Sequence, residues 1–292
     1  MASREMVRIA NGRLSAAINP FGAELSHLED AGGLELMTDA DPAFWTGRAP
    51  LLFPIVGRVH GDAIRVDGRE YPMPKHGLAR RLLFEVARAG ETEALFVLTD
   101  SEETRVAYPF AFRLEVGFRL DGATLVTEVR IANPGEVDLP AQFGFHPAFA
   151  WPLPYGQLRA EHRMLFEAEE TLMLRGVTPD GFLTDPERPS PVQDRELKLA
   201  DHLFEHDALV WDPIRSKRLR YGAPDGPQLD IAFDAPQLGV WTLPGAHYVC
   251  VEPWHGHADP HDFAGEFRDK PGVFTVPPGG EWRTAMSVTL VV

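Results

Sequence analysis

The chain has 292 residues, 44% of them hydrophobic, and its 28 basic and 43 acidic side chains give a net charge of −15. A net negative surface repels phosphate backbones and anionic lipid headgroups, so the composition predicts neither a nucleic-acid partner nor a membrane-surface role. The single cysteine precludes an internal disulfide. The N-terminus is charged, and no apolar run reaches about 18 residues, so we expect a cytoplasmic protein with a large core.

Two strand pairs are predicted in the first hundred residues. Residues 64–71 alternate about Asp67-Gly68, a dipeptide that suits a type I′ turn because both positions tolerate a positive φ. Residues 82–88 and 94–99 form a second alternating pair. These patterns favour antiparallel hairpins.

The strongest pattern is a hairpin over residues 112–131. Five apolar side chains alternate with polar ones over 112–120, which places all five on one face of a strand. Asp121-Gly122 is predicted as a type I′ turn, after which 125–131 return with the same period.

The remaining segments complete an all-β prediction with little helix. Residues 195–206 are predicted as a short helix, and 284–292 as a final strand. No Gly/Ser linker, charge block or repeat divides the chain, so 1–292 is interpreted as one large antiparallel β-sandwich domain.

Two polar residues in apolar segments are candidate functional residues. His146 lies among three phenylalanines in 142–149, where a core histidine bonded to backbone would fit equally well. Glu252 lies in the mostly apolar segment 248–256, just before Pro253. A carboxylate there is costly unless it is paired or used, which favours function over a glutamate that simply reaches water at a strand end.

Two further segments are weaker by themselves. Residues 50–58 end in Gly57-Arg58 and resemble an edge strand followed by a solvated arginine. His76 and Arg80 lie in a loop whose histidine has no necessary role beyond a local hydrogen bond.

A metal enzyme is the first alternative, because 255–262 contain three histidines and two aspartates, a donor set that can bind Zn²⁺. Glu266 lies nine residues after His257, too far for the short spacing of a cupin motif. A histidine-rich surface loop is the favoured interpretation of His255, His257 and His261, and no metal is assigned.

The ordered motifs of the chain resemble the aldose 1-epimerase (galactose mutarotase) family, in particular its LacX-like branch, from about residue 8 to the C-terminus. The motifs that carry the resemblance are Gly22-Ala23-Glu24-Leu25, Leu52-Phe53-Pro54-Ile55-Val56-Gly57-Arg58, Lys75-His76-Gly77-Leu78-Ala79-Arg80, Tyr108-Pro109-Phe110, Gly144-Phe145-His146-Pro147-Ala148-Phe149 and Cys250-Val251-Glu252-Pro253-Trp254.

The resemblance implies a large antiparallel β-supersandwich and an isomerase that interconverts the α and β anomers of a free aldose without a cofactor. It implies that Glu252 is the base that takes the anomeric hydroxyl proton and that His146 protonates the ring oxygen. It further implies that His76 holds and polarises that oxygen. Removing one such proton-transfer group typically costs about 10²–10⁴-fold in rate.

The resemblance also implies sugar-binding roles for three residues. Arg58 matches the family's hydroxyl-binding arginine, and Arg80 lies in the extended His-Gly-x-Ala-Arg motif. Asp207 aligns loosely with a substrate-binding aspartate. Leu78 stands where relatives often carry Phe, a departure that affects the shape of the pocket rather than its chemistry.

Two alternatives concern the ligand. A non-catalytic carbohydrate-binding or sensing protein could share the fold, although all three proton-transfer residues are present. A hexose-6-phosphate mutarotase would need local cations, for which Lys75, Arg80 and Arg81 are candidates, yet a neutral aldose is favoured. A glycosidase is disfavoured because the motifs offer one carboxylate rather than a pair. The sequence does not determine the oligomeric state.

Overall fold

The computed structural model describes residues 5–292, in which strands are the dominant regular element. The first twelve strands are β1 (Val7–Ala10), β2 (Leu14–Asn19), β3 (Glu24–Asp30), β4 (Leu51–Leu52), β5 (Ala63–Val66), β6 (Arg69–Pro72), β7 (Glu85–Ala89), β8 (Glu93–Thr99), β9 (Arg113–Asp121), β10 (Thr124–Ala132), β11 (Leu139–Ala141) and β12 (Phe143–Phe145). The other twelve are β13 (Ala148–Ala150), β14 (Arg163–Phe166), β15 (Leu174–Val177), β16 (Leu183–Arg188), β17 (Glu196–Lys198), β18 (Leu209–Trp211), β19 (Arg218–Gly222), β20 (Gln228–Phe233), β21 (Gln237–Trp241), β22 (Tyr248–His255), β23 (Phe274–Val276) and β24 (Glu281–Val291).

Helical structure is sparse. The α-helix α1 (Glu102–Arg105) spans four residues and is capped by Ser101, whose hydroxyl accepts a hydrogen bond from the Thr104 amide. Short 3₁₀ helices lie at His60–Asp62, Ala79–Arg81, Arg159–Glu161, Asp201–Phe204 and Phe267–Asp269. Within residues 5–292, no helix has the length and apolar character needed to cross a bilayer.

Two large antiparallel sheets organise the chain. A nine-stranded sheet has the order β17-β14-β19-β20-β24-β10-β9-β8-β7. An eight-stranded sheet has the order β16-β15-β18-β21-β22-β12-β4, and β13 also pairs with β22. The main apolar core takes side chains from both sheets, for example Leu114 and Ile231 from the first and Val240 and Val251 from the second. Small sheets, β1-β2-β3, β5-β6 and β11-β23, complete the structure.

The predicted hairpins are confirmed, with one change in a turn. Asp67 and Gly68 both have a positive φ, of 49° and 77°, between paired β5 and β6. In the β9-β10 hairpin Asp121 pairs with Thr124, so the turn residues are Gly122 and Ala123. Only Gly122 has a positive φ, so the predicted type I′ turn over Asp121-Gly122 is wrong by one residue and in type.

The short helix predicted over 195–206 is wrong in its first half. Residues Glu196–Lys198 form β17, an edge strand of the nine-stranded sheet that pairs with β14, and only Asp201–Phe204 turn as a 3₁₀ helix. Leu197 is buried on this edge, so burial against the sheet outweighs the local helical pattern. The predicted strand pair over 82–99 is confirmed as β7 and β8, and the C-terminal strand as β24. The assignment of 1–292 to one domain stays a prediction.

Candidate active site

A cavity of about 340 Å³ lies over strands β18, β21 and β22 of the eight-stranded sheet. Its lining includes five of the six residues assigned to the site by sequence: His76, Arg80, His146, Asp207 and Glu252. Its volume falls in the range of small-molecule sites, about 300–1,000 Å³. The fold therefore brings together residues that are up to about 176 positions apart, from His76 to Glu252.

Glu252 lies near the middle of β22, a buried interior strand of the sheet. It pairs with Gly239 of β21 and is 2% exposed. Side chains two positions apart on a strand share a face, so Cys250, Glu252 and Trp254 lie on the same side. Because a Cβ at Gly239 would come within 2.5 Å of the Trp254 ring, a glycine there allows that indole to lie flat across β21.

His146 is placed opposite Glu252 by an interrupted strand. Both β12 and β13 pair with β22, and His146-Pro147 form the short link between them. The Pro147 carbonyl accepts a hydrogen bond of 3.1 Å from the Val251 amide, next to Glu252. The link is therefore fixed to β22 at both ends, which directs the imidazole over the carboxylate.

The His146 Nε2 and Glu252 Oε2 atoms are 3.2 Å apart, and both side chains are almost completely buried. Burial raises the pKa of the Glu252 carboxyl well above its usual value. The positive charge of Lys75 opposes this effect, and the negative charge of Asp207 reinforces it. Burial also lowers the pKa of His146 to about 3. Both groups are thus pushed toward their neutral forms by the same desolvation.

His76 contributes a second imidazole with a determined tautomer. Its Nδ1 accepts a hydrogen bond of 3.1 Å from the Gly57 amide, so in the neutral ring the proton lies on Nε2. Burial and the neighbouring charge of His146 both lower the pKa of His76 well below its usual value. A Cβ at Gly77 would lie 2.2 Å from the Phe53 carbonyl oxygen, so this close turn requires glycine.

Two cations line the cavity without an ion-pair partner in residues 5–292: the exposed Lys75 and the half-buried Arg80. Arg80 lies in the 3₁₀ turn Ala79–Arg81, and burial lowers its pKa, as does the charge of Arg81. The cavity lining also includes the exposed Asp207, whose Oδ1 accepts a hydrogen bond from the Ala208 amide at 2.7 Å. The cavity lining thus holds two cations in a protein of strongly negative net charge.

Three tryptophans form aromatic walls that the sequence did not reveal as site residues. Trp45 lies 4.9 Å from His146 between ring centroids, and Trp241 meets Trp45 edge-on at 5.7 Å. Trp254 completes the set. Trp254 was visible in the Glu-Pro-Trp motif, but Trp45 and Trp241 lie in segments with no recognisable signature. Trp241 ends β21, and the 41–47 loop brings Trp45 against it and against Tyr248 of β22.

Arg58 is not among the residues that line the cavity. Its guanidinium binds Asp62 with two hydrogen bonds, Nε to Oδ1 at 2.9 Å and Nη2 to Oδ2 at 3.1 Å, and reaches the Asp180 carbonyl at 3.3 Å. The neighbouring Gly57 and Gly181 do line the cavity. Arg58 thus lies beside the wall with its donors engaged, and its predicted hydroxyl-binding role stays a prediction.

The histidines of residues 255–262 are not gathered into one cluster. His255 contacts Thr284 at 2.9 Å, and His257 Nδ1 donates to the Ala258 carbonyl at 2.7 Å, while His261 is exposed. In residues 5–292, two groups of three His, Cys, Asp or Glu side chains have close ligand atoms, and neither includes a histidine of this loop.

Comparisons with known proteins identify the family. The aldose 1-epimerase family model matches residues 5–275. The plasmid-encoded protein LacX of Lactococcus lactis subsp. lactis is 28% identical over 98% of this chain and 99% of its own length.

Two solved structures share the whole fold. A galactose mutarotase related enzyme from Lactobacillus acidophilus is 30% identical with a TM-score of 0.90, covering 98% of this chain and 97% of that one. A galactose mutarotase-like protein from Lactobacillus casei is 26% identical with a TM-score of 0.91, covering 98% of this chain and 100% of that one. These likenesses confirm the predicted β-supersandwich and the LacX-like resemblance. The chain belongs to the aldose 1-epimerase family.

Proposed function

We propose that the protein is a mutarotase that interconverts the α and β anomers of a free aldose in this cavity. The observation that carries the proposal is the buried pair of His146 Nε2 and Glu252 Oε2, 3.2 Å apart at the cavity wall. Anomer exchange needs one group that accepts a proton and one that donates it, close to the same small ring.

Desolvation favours a pair that holds a single proton. Burial raises the pKa of Glu252 and lowers that of His146 to about 3, so in the free protein the proton lies on the carboxyl. The carboxyl oxygen Oε2 then lies 3.2 Å from Nε2 of the imidazole. Moving this proton across the pair creates a carboxylate and an imidazolium that stabilise each other at this distance, without any exchange with solvent.

Starting from the carboxylate and the imidazolium, each proton that is transferred is later returned. The Glu252 carboxylate accepts the proton of the anomeric hydroxyl, and the His146 imidazolium donates its proton to the ring oxygen. The bond between C1 and the ring oxygen breaks as the C1 carbonyl forms. After rotation about C1–C2, both transfers reverse and the hydroxyl attacks the other face. The pair ends with the single proton it began with, and the reaction consumes no cofactor.

His76 and the aromatic walls orient the sugar. The Nε2–H of His76 is a donor fixed by the Gly57 contact, suited to hold the ring oxygen. The indoles of Trp45 and Trp241 offer apolar faces for the C–H side of a sugar ring. Asp207 and Arg80 supply an acceptor and donors for hydroxyl groups.

A phosphorylated aldose is a second candidate substrate, favoured by one observation. Lys75 and Arg80 line the cavity without an ion-pair partner among residues 5–292, and a phosphate would satisfy an unpaired guanidinium. A neutral aldose remains the first candidate, because Arg80 can equally donate to hydroxyl groups. Replacing Arg80 by Gln should weaken exchange of glucose 6-phosphate at least about tenfold more than exchange of glucose if phosphate binds here.

The decisive experiment follows anomer exchange by NMR. α-D-Glucose, α-D-galactose and glucose 6-phosphate are incubated with wild type and with Glu252→Gln. Glu136→Gln, which removes an exposed carboxylate away from the cavity, is the matched control. We expect exchange above buffer for wild type and control, and loss in Glu252→Gln. Sugar binding without any exchange would instead support a carbohydrate-binding protein.

A further inference from the structure

Beside the proposed proton-transfer pair lies a third buried donor, the thiol of Cys250. The Cys250 Sγ, a ring nitrogen of His146 and a carboxylate oxygen of Glu252 all lie within 4.8 Å of one another. The three residues are 0%, 7% and 2% exposed. In the proposed anomer exchange His146 and Glu252 transfer the protons, and the thiol of Cys250 has no role.

Strand geometry makes this grouping rigid. Cys250 and Glu252 are two positions apart on β22 and therefore share a face. Ala148, two residues after His146, pairs directly with Cys250. The backbone ladders that hold the imidazole over the carboxylate thus hold it beside the sulfur as well, and no loop movement is needed to assemble the three donors.

The donor set and its spacing suit a borderline-soft divalent ion. Zn²⁺ takes thiolate, imidazole and carboxylate ligands in tetrahedral geometry, and ligands at about 2.0–2.1 Å in that geometry are about 3.3 Å apart. His146 Nε2 and Glu252 Oε2 are 3.2 Å apart. Mg²⁺ and Ca²⁺ prefer oxygen ligands, so a sulfur donor disfavours them.

We propose that His146, Cys250 and Glu252 form a binding site for a thiophilic divalent cation, Zn²⁺ or Cd²⁺, whose fourth ligand position faces the cavity. Binding replaces the S–H bond of Cys250 by a metal–sulfur bond, and the thiol proton passes to solvent. The carboxyl of Glu252 also gives up its proton to bind the ion. An ion bound here occupies the lone pairs that the proton transfers need, so it inhibits turnover.

The inhibition rests on the proposed mutarotase function, whereas metal binding does not, and the two are measured separately. Cys250 is the only cysteine of the chain, so the ultraviolet thiolate-to-cadmium charge-transfer band reports this one site in the wild-type protein. Titration with CdCl₂ should produce that band to one equivalent per chain, with chelator reversing it. Isothermal titration with ZnCl₂ gives the affinity.

Cys250→Ser is the test variant and His27→Gln the matched control, since His27 belongs to the other close donor group, with Glu29 and Glu35. We expect Cys250→Ser to lose the band and more than about 100-fold in Zn²⁺ affinity, because even outer-shell partners account for 10–100-fold. His27→Gln should change neither. Anomer exchange by Cys250→Ser should persist and resist Zn²⁺.

A missing thiolate band in wild type at saturating Cd²⁺ would overturn the site, whatever the activity. Equal Zn²⁺ affinity in Cys250→Ser and wild type would overturn it as well. If the band forms but no sugar is exchanged, the metal site stands and the mutarotase proposal fails.

Discussion

Two regions of this protein contain histidines, and they differ in what the imidazole nitrogens contact. In the segment 255–261, His255 is bonded to Thr284 and His257 to the Ala258 carbonyl. In the cavity, His146 has no hydrogen-bond partner for Nδ1 within residues 5–292 and faces a buried carboxylate through Nε2. Burial alone does not separate them, since His257 is buried as well; His146 differs because it lines a cavity beside a buried carboxylate.

The same contrast holds for buried charges. Lys270 is fully buried, yet it contacts Asp259 at 3.1 Å and Gln142 at 3.2 Å, so its ammonium is held by protein groups alone. Glu252 is equally buried, but no Lys or Arg within residues 5–292 forms an ion pair with it, and the His146 imidazole lies 3.2 Å away. A carboxylate left in this state costs stability, and proteins keep such groups where they are used.

The largest expected effect is on the His146–Glu252 pair. Glu252→Gln and His146→Gln should each lower kcat for anomer exchange by about 10²–10⁴-fold, because each removes a proton-transfer group. Since the two act as one unit, the double variant should be no slower than about the slower single variant. NMR exchange rates at saturating aldose test this, and losses that multiply in the double variant would contradict the shared-proton mechanism.

His76 should show a smaller and more selective effect. His76→Asn keeps an acceptor near Nδ1 for the Gly57 amide and tolerates the φ of 67°, but it lacks the Nε2 donor. His76→Gln places an amide near Nε2 instead. If the donor holds the sugar, Asn should cost about 10–100-fold in kcat/KM, the value of a hydrogen bond to a developing charge. Gln should cost clearly less, and the reverse order would assign His76 a purely structural role.

The buried Glu252 should also make the stability of the folded protein depend on pH. The pKa of Glu252 is raised in the folded protein, so its stabilising contribution is complete below its ordinary pKa near 4.5 and is lost as pH rises toward the folded value. Glutamine has no charge to bury. The melting temperature of Glu252→Gln relative to wild type should therefore increase as the pH rises above about 4.5, by about 2–4 °C for each kcal/mol.

Thermal unfolding at several pH values measures that difference, with Glu136→Gln as the control for loss of an exposed charge. A difference that is constant with pH would show that Glu252 is already ionised at little cost in the folded protein. It would also remove the basis for a proton held by the carboxyl.

The smallest expected effect is in the 255–262 segment. His261 is exposed and does not line the cavity, so His261→Gln should change kcat/KM for anomer exchange less than about twofold and the melting temperature by less than about 1 °C. A large loss of activity in this variant would show that the 255–262 segment takes part in the reaction after all.

Local patterns predicted the parts of the fold that depend on local forces. The β9-β10 hairpin followed from period-two alternation, and the order of short motifs identified the family and five cavity residues. The strand Glu196–Lys198 was missed because its edge position in a nine-stranded sheet, rather than its own sequence, makes it extended. Trp45 and Trp241 were missed because their segments carry no motif and meet only in three dimensions.

By itself, the sequence determined the all-β class and the hairpin registers to within a residue. It also identified the polar groups whose burial costs free energy. Those properties follow from alternation and from the cost of desolvating charge, both of which act locally. Only the tertiary structure decided which of those groups meet. It brought His146 to within 3.2 Å of Glu252, turned Arg58 toward Asp62 and engaged His255 and His257 with their own neighbours. Long-range strand pairing sets such distances, because residues about 106 positions apart have no preferred separation until the sheet that joins them has formed.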